Sequence, residues 1–288
     1  MSIDDVPVAR TSTSAASPPA ARHLSLPRLD VMSLFVLPGI VLVLFVSVPM
    51  IALIMRAAES GNLLDSLQEP IVRDALRLSL ITSTFTLLIA ILGGTPLAYL
   101  LARRSFPGKR IVDTLIDLPI VLPPVVAGVA LLMAFGRRGV FGDELQAAGI
   151  DLAFTTTAVV LAQIFVSAPF YIRSAKAGFQ SVDQTYEQMA YTLGASRIST
   201  FIRVTLPLAM PAVLGGIVLC WARALSEFGA TMMFAGNFRG TTQTMPLAVM
   251  TAMESDLFAA LSISVILLAI SFVTLLVFRL FSRDGARL

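Results

Sequence analysis

The sequence predicts an all-α membrane protein with six transmembrane helices, and three observations lead to this class. Hydrophobic residues make up 56% of the 288 residues and charged residues only 14%, whereas soluble domains are roughly 25% charged. Several apolar runs have the length of about 20 residues at which a helix crosses a bilayer. These runs lack the strict alternation of polar and apolar residues that is typical of a membrane β-barrel.

The N-terminal residues 1–27 are rich in serine, threonine, alanine and proline, which predicts a disordered cytoplasmic tail. The apolar run that follows is too long for the core of a signal peptide, so we expect it to remain as the first span. Residues 28–288 then form one transmembrane domain. Its predicted spans are about 31–55, 78–102, 115–136, 152–174, 204–227 and 257–280.

Helix-breaking residues recur inside the predicted spans. The first span contains Pro38 and Pro49, and the third contains the adjacent Pro123 and Pro124. Such prolines kink helices, as a moving pathway requires. Proline is also commoner in membrane helices than in soluble ones, so an ordinary structural role stays open.

The distribution of basic residues predicts the orientation of the spans. When both termini are placed in the cytoplasm, most of the 21 lysines and arginines lie on the cytoplasmic side, as the positive-inside rule requires. The long loop 177–206 is then cytoplasmic. On the outer side, the uncharged stretch 240–253 is too short to span, and it predicts either a short packed element or an ordinary loop.

Few side chains are available for catalysis or metal binding. His23 is the only histidine and lies in the tail, and Cys220 is the only cysteine and lies in the fifth span. The sequence also lacks a Gly-x-x-x-x-Gly-Lys-Ser/Thr phosphate-binding loop, so we expect no ATPase site of that type in this chain. We therefore expect no catalytic residue, cofactor, metal site or nucleic acid partner.

The loop 177–206 begins with the pattern of an amphipathic helix. Met189, Ala190 and Leu193 recur at steps of three and four residues, which places them on one apolar face. Gly194 follows where a glycine commonly ends a helix. The pattern predicts a short helix that ends at this glycine.

A second short helix is predicted after Gly194. Ser196 or Ser199 can cap it, because serine side chains accept hydrogen bonds from the free N–H groups of a helix start. Leu206 and Pro207 then open the fifth span, since proline is tolerated in a first helical turn.

This spacing resembles the EAA loop of ABC importer permeases. The family pattern is Glu-Ala-Ala, three residues, glycine, nine residues, isoleucine, one residue and Leu-Pro. Counted from the glycine, the pattern falls on Gln188, Met189, Ala190, Gly194, Val204, Leu206 and Pro207. Gln188 and Met189 depart from it, although Glu187 supplies a carboxylate immediately before them.

The resemblance implies the fold of a type I ABC importer permease, in which this loop sits in a cleft of a separate ATPase subunit. The apolar face of the loop suits a hydrophobic groove, and Glu187 and Arg197 are expected at the rim of that groove. The residues expected to couple the chain to the ATPase are Glu187, Gln188, Met189, Ala190, Leu193, Gly194, Leu206 and Pro207.

The cargo is indicated by further stretches that are similar to molybdate permeases, with sulfate permeases next. These stretches are 122–128, 136–139, 224–231, 234–237 and 242–246. The resemblance implies a homodimer in the plasma (inner) membrane of a prokaryote, two ATPase subunits, surrounding membrane lipid, and a periplasmic or lipid-anchored protein that delivers the oxyanion. Tungstate, sulfate, thiosulfate, phosphate or an organic solute are alternative cargoes, and a standalone ion-coupled carrier or channel is the rival class.

Arg223 is the one basic residue deep in a predicted span, and ionisable groups at such positions are functional candidates. Glu227 lies four residues later, so the two side chains would face each other on a helix. A structural pair, a contact with the cargo and a gating contact all fit this spacing. Together with Pro123 and Pro124, the two residues form the predicted pathway or gate.

Overall fold

The structure, a computed structural model, describes residues 31–59 and 69–285, with the side chains of 35–59 and 69–276. The chain divides into two compact units, Met1–Pro49 and Met50–Leu288. The described part of the first unit is helical and carries exposed apolar side chains. The predicted disorder of residues 1–27 falls outside the described residues.

The described residues form helices and no strand, which confirms the all-α prediction. The helices are α1 Val31–Glu59, α2 Pro70–Arg103, α3 Lys109–Val121, α4 Pro124–Phe135, α5 Gly142–Ala147, α6 Thr156–Ser181, α7 Gln184–Thr192, α8 Arg197–Thr200, α9 Leu206–Leu225, α10 Gly229–Phe234, α11 Met245–Ser255 and α12 Leu257–Gly285. A π-helical segment, Phe201–Thr205, joins α8 to α9. In the described part of the chain, five helices are long and apolar enough to cross a membrane, and six if the bent pair α3 and α4 counts as one span.

The third predicted span, 115–136, is a bent helix pair rather than one helix. The axes of α3 and α4 differ by 118°. Leu122 has φ −67° and ψ 135°, the extended conformation that is favoured before a proline. Pro123 is also extended, and Pro124 begins α4, where a missing N–H costs nothing. The two consecutive prolines therefore explain the break.

Helix α6 lies at the centre of the second unit, between α2 and α9. Two glycines let α6 and α9 approach closely: a β-carbon at Gly178 would lie 2.6 Å from Ala212, and one at Gly216 would lie 2.8 Å from Ser174. Small residues at such contacts let membrane helices pack backbone to backbone. Helices α2, α6 and α9 share a hydrophobic core cluster that includes Tyr171, whose side chain is 1% exposed.

Two further clusters flank this centre. Helices α4, α6 and α10 enclose Phe234, and helices α2, α11 and α12 enclose Met245. Of the two interpretations of 240–253, the structure favours the packed element, because α11 lies there and buries Met245, Leu247 and Ala248.

Candidate functional site

The loop between α6 and α9 contains two short helices joined at a tight turn, as the sequence predicts. The side chain of Asp183 accepts a hydrogen bond from the backbone N–H of Thr185 at the start of α7. Gly194 ends this helix in a left-handed conformation, with φ +83°. The N–H groups of Gly194 and Ala195 donate to carbonyls of the last turn of α7, and Ser196 caps α8.

The cap of α7 responds to pH. The backbone hydrogen bond from Thr185, followed by the bond from its hydroxyl, lowers the pKa of Asp183 below its ordinary value. The negative charge is favourable at a helix N-terminus. This stabilisation is present above the pKa of an unfolded aspartate and is lost as the pH falls through the lowered pKa.

Opposite faces of α7 lie in different environments. Tyr186, Met189 and Leu193 are 55%, 59% and 89% exposed. At about 100° per residue these three side chains share one face, and Glu187 lies on the other. Glu187 is only 6% exposed, so it points into the chain, and its predicted position at the rim of a docking groove is wrong. The other residues expected to couple the chain to the ATPase are exposed or half-buried, and they are Gln188, Ala190, Gly194, Leu206 and Pro207.

The carboxylate of Glu187 fastens α7 to two membrane helices. Its Oε1 accepts hydrogen bonds from Nε and Nη2 of Arg103, at 3.0 and 2.8 Å, and from the hydroxyl of Thr205, at 2.8 Å. Nη2 of Arg103 also donates to the carbonyl of Val182, at 3.0 Å. Arg103 ends α2, and Thr205 ends the π segment before α9. These hydrogen bonds thus connect α7 to the end of α2 and to the segment that precedes α9.

The fifth span begins earlier than the sequence predicts. Leu206 and Pro207 begin α9, as predicted, but α8 and the π segment continue the helical stretch back to Arg197. Proline lacks an N–H, and its ring crowds the carbonyl four residues back in an α-helix. The π segment relieves this crowding by widening the helix, and the N–H of Leu206 donates to the carbonyl of Phe201.

The predicted pairing of Arg223 with Glu227 is confirmed, although the two residues do not share one helix. Nη1 of Arg223, in the last turn of α9, lies 2.7 Å from Oε2 of Glu227, whose side chain is 1% exposed. Oε1 of Glu227 accepts a hydrogen bond from the N–H of Ala230, at 2.8 Å. Since Ala230 lies in the first turn of α10, Glu227 joins the end of one helix to the start of the next.

The proline break of the third span lies against this helix junction. A β-carbon at Gly229 would lie 2.9 Å from Cβ of Pro124, and one at Gly128 would lie 2.7 Å from the carbonyl oxygen of Ala230. Helices α4 and α10 are therefore in direct backbone contact. The structure brings the two parts of the predicted gate together.

Two ion pairs between α3 and α6 were missed by the sequence analysis. Nζ of Lys176 donates to Asp113, and Nε of Arg173 lies 2.8 Å from Oδ1 of Asp117. The spacing of four residues between the two aspartates was a signal that they share a face. These pairs hold the first half of the bent span against α6.

These features define a polytopic helical membrane protein with a pair of short helices between two of its spans. Residues 94–285 match the family described as the inner membrane component of binding-protein-dependent transport systems. The chain belongs to this family, and the resemblance to ABC importer permeases is confirmed.

Several relatives align with most of the chain. The probable transport system permease protein NifC of Clostridium pasteurianum is 39% identical over 237 residues, which are 82% of each chain. The molybdenum transport system permease protein ModB of Mycobacterium tuberculosis is 43% identical over 235 residues, 82% of this chain and 89% of that one. The molybdate/tungstate transport system permease protein WtpB of Pyrococcus abyssi is 38% identical over 239 residues, 83% and 90% of the two chains.

Solved structures share the fold at low identity. A chain of a bacterial ABC transporter involved in the import of the acidic polysaccharide alginate superimposes with a TM-score of 0.70, at 19% identity, over 88% of this chain and 95% of that one. A chain of the methionine ABC transporter MetNI gives a TM-score of 0.55, at 13% identity, over 74% and 94% of the two chains. The predicted fold of an ABC importer permease is confirmed.

Proposed function

We propose that this chain is the membrane-spanning permease subunit of an ATP-driven importer of molybdate or tungstate. Relatives that are 38% to 43% identical over more than four-fifths of the chain are named for the transport of molybdenum, molybdate or tungstate. The observation that carries the mechanism is the exposed apolar face of α7, whose opposite face is anchored to α2 and α9 through Glu187.

The exposed face of α7 is the surface that docks on the ATPase subunit. Tyr186, Met189 and Leu193 expose large apolar side chains side by side, which suits insertion into a hydrophobic groove. The permease itself is not an enzyme, since its sequence has no phosphate-binding loop of the Gly-x-x-x-x-Gly-Lys-Ser/Thr type. Closure of the ATPase subunits moves α7, and the buried carboxylate of Glu187 passes this motion to the spans.

The assembly that follows contains two copies of this chain, two ATPase subunits and an extracytoplasmic oxyanion-binding protein. The loop 177–206 and both termini lie in the cytoplasm, in agreement with the excess of basic residues on that side. The complex resides in the plasma (inner) membrane of a prokaryote, and the binding protein delivers its cargo to the outer face.

The pair Arg223 and Glu227 holds the gate in shape and does not bind the cargo. A tetrahedral oxyanion is bound by hydrogen-bond donors, whereas the Arg223 guanidinium is already neutralised by a carboxylate. Glu227 fixes the break between α9 and α10 next to Pro124. We assign Pro123 and Pro124 to the same gate, as the flexible joint of the third span.

Docking is tested by co-purification of the full chain with the products of its neighbouring genes. Leu193→Asp places a charge on the exposed face of α7 and should lower the recovered ATPase by about tenfold or more, as a buried unpaired charge does at an interface. Val140→Asp is the matched control, since Val140 is 77% exposed and lies far along the chain from the loop. If the wild-type chain recovers no ATPase, the rival class of carrier or channel is correct.

The cargo is tested with the purified complex and its binding protein in proteoliposomes. ATP-dependent uptake of molybdate or tungstate, competed weakly by sulfate, is the expected result. Uptake of sulfate without uptake of molybdate would show that the chain belongs to a sulfate importer.

A further inference from the structure

A basic cavity of about 460 Å³ lies between the end of α2 and the loop helices. Three arginines line it, Arg103, Arg104 and Arg197, together with Tyr99 and Tyr191. The ion pair Arg103–Glu187, which anchors α7, forms part of its wall, whereas neither the proposed docking surface nor the proposed gate includes the other lining residues.

The cavity carries a net positive charge. Arg103 is neutralised by Glu187, the only carboxylate among the described lining residues. Arg104 and Arg197 are exposed and form no ion pair with any residue that the structure describes. Two free guanidinium groups at the mouth of one cavity are suited to a phosphate-type anion, whose oxygens accept paired N–H bonds.

The cavity and the proposed docking surface lie on opposite sides of α7. Gln184, Glu187 and Tyr191 face the cavity. At about 100° per residue this face is directed roughly 170° away from that of Met189 and Leu193. Docking on the exposed apolar face therefore leaves the cavity accessible from the side of α2.

An apolar stripe on α2 leads from the membrane-spanning part of the helix to the cavity. Phe85, Leu88 and Leu92 are 57%, 50% and 75% exposed and lie on the same side of α2 as Pro96 and Leu100, which form the cavity wall. A ligand that fills both regions combines an anionic head with apolar chains.

We propose that this cavity binds the headgroup phosphate of an anionic phospholipid, whose acyl chains lie along the apolar stripe of α2. The charge of Arg104 and Arg197 selects an anionic lipid over a zwitterionic one, as basic pockets between spans do at a cytoplasmic surface. The inference rests on the proposed orientation, which places the end of α2 at the cytoplasmic surface. Bound lipid would brace α7 against α2.

Native mass spectrometry of the delipidated full-length chain in detergent tests the proposal, with phosphatidylglycerol and phosphatidylcholine as the added lipids. The wild type should bind phosphatidylglycerol in preference. The double variant Arg104→Gln, Arg197→Gln should bind it about 25-fold more weakly, at about fivefold for each arginine near an anionic headgroup. The control Arg77→Gln, Arg138→Gln removes the same charge at exposed positions outside the cavity and should bind like the wild type.

Three results would overturn the proposal. One is equal binding of the two lipids by the wild type, which is also the result expected if a second copy of the chain covers the stripe. Another is an equal loss of binding in both double variants. The third is arginine-dependent binding of inorganic phosphate, added alone, without binding of lipid. These measurements need neither ATPase nor cargo, so failure of the lipid site and failure of the proposed transport function are separate results.

Discussion

Glutamine in place of Glu187 keeps the shape of the side chain and removes its charge. The guanidinium of Arg103 then remains without an anion at a site where each side chain is 8% exposed. Removal of one partner from a buried ion pair costs about 3 to 5 kcal/mol. Because the glutamine oxygen still accepts hydrogen bonds from Arg103 and Thr205, we expect the lower end, a loss of about 3 kcal/mol in the free energy of unfolding.

The measurement is denaturant unfolding of the purified chain in detergent, with Glu59→Gln as control. Glu59 pairs with Arg56 at 3.0 Å, but their side chains are 58% and 74% exposed, so its loss should cost less than about 1 kcal/mol. The double variant Arg103→Met, Glu187→Met should recover most of the stability, since no charge is left buried. If Glu187→Gln costs no more than Glu59→Gln, the carboxylate does not hold the loop as inferred.

Three further predictions concern glycines and the gate. Gly94→Ala should destabilise the chain in the same unfolding assay, because its β-carbon would lie 2.9 Å from the ring of a buried tyrosine. Gly93→Ala should instead stabilise α2 by about 0.5 to 1 kcal/mol, because its β-carbon would meet nothing within 4 Å. Gly194→Leu, at φ +83°, should cost about 1 to 2 kcal/mol and uncouple ATP hydrolysis from uptake, and normal uptake by this variant would contradict the coupling role. Replacing Arg223 and Glu227 together should impair uptake less than replacing Glu227 alone. Uptake by the double variant that is no higher than uptake by the worse single variant would indicate a direct role in transport.

The membrane spans could be located from the sequence because length and hydropathy do not depend on tertiary contacts. The break in the third span was only partly predictable. Pro123 and Pro124 indicate that a helix is interrupted. The run 115–136 is apolar on both sides of them, however, so the sequence does not indicate the angle between the two helices. Leu206 and Pro207 were correctly predicted to begin an α-helix, but nothing in the sequence indicated that a π segment continues this helix toward the loop.

The exposed face of α7 could be predicted from the sequence, whereas its buried face could not. Periodicity places Met189 and Leu193 on one exposed face without further information. A glutamate on a short amphipathic helix is normally expected in water, so the burial of Glu187 required knowledge of its partner. That partner, Arg103, lies 84 residues earlier in the chain, and its charge by itself indicated only the side of the membrane.

The continuous helix Arg197–Leu225 has a mechanical consequence. Its 29 residues span about 43 Å, against about 30 Å for the hydrocarbon core of a bilayer. The length of this stretch therefore exceeds the thickness of the hydrocarbon core by about two turns. A tilt of about 10° around the midpoint of a straight helix of this length displaces each end by about 4 Å. Because the loop and the proposed gate lie at the two ends of this one helical stretch, we expect a displacement of one end to reach the other.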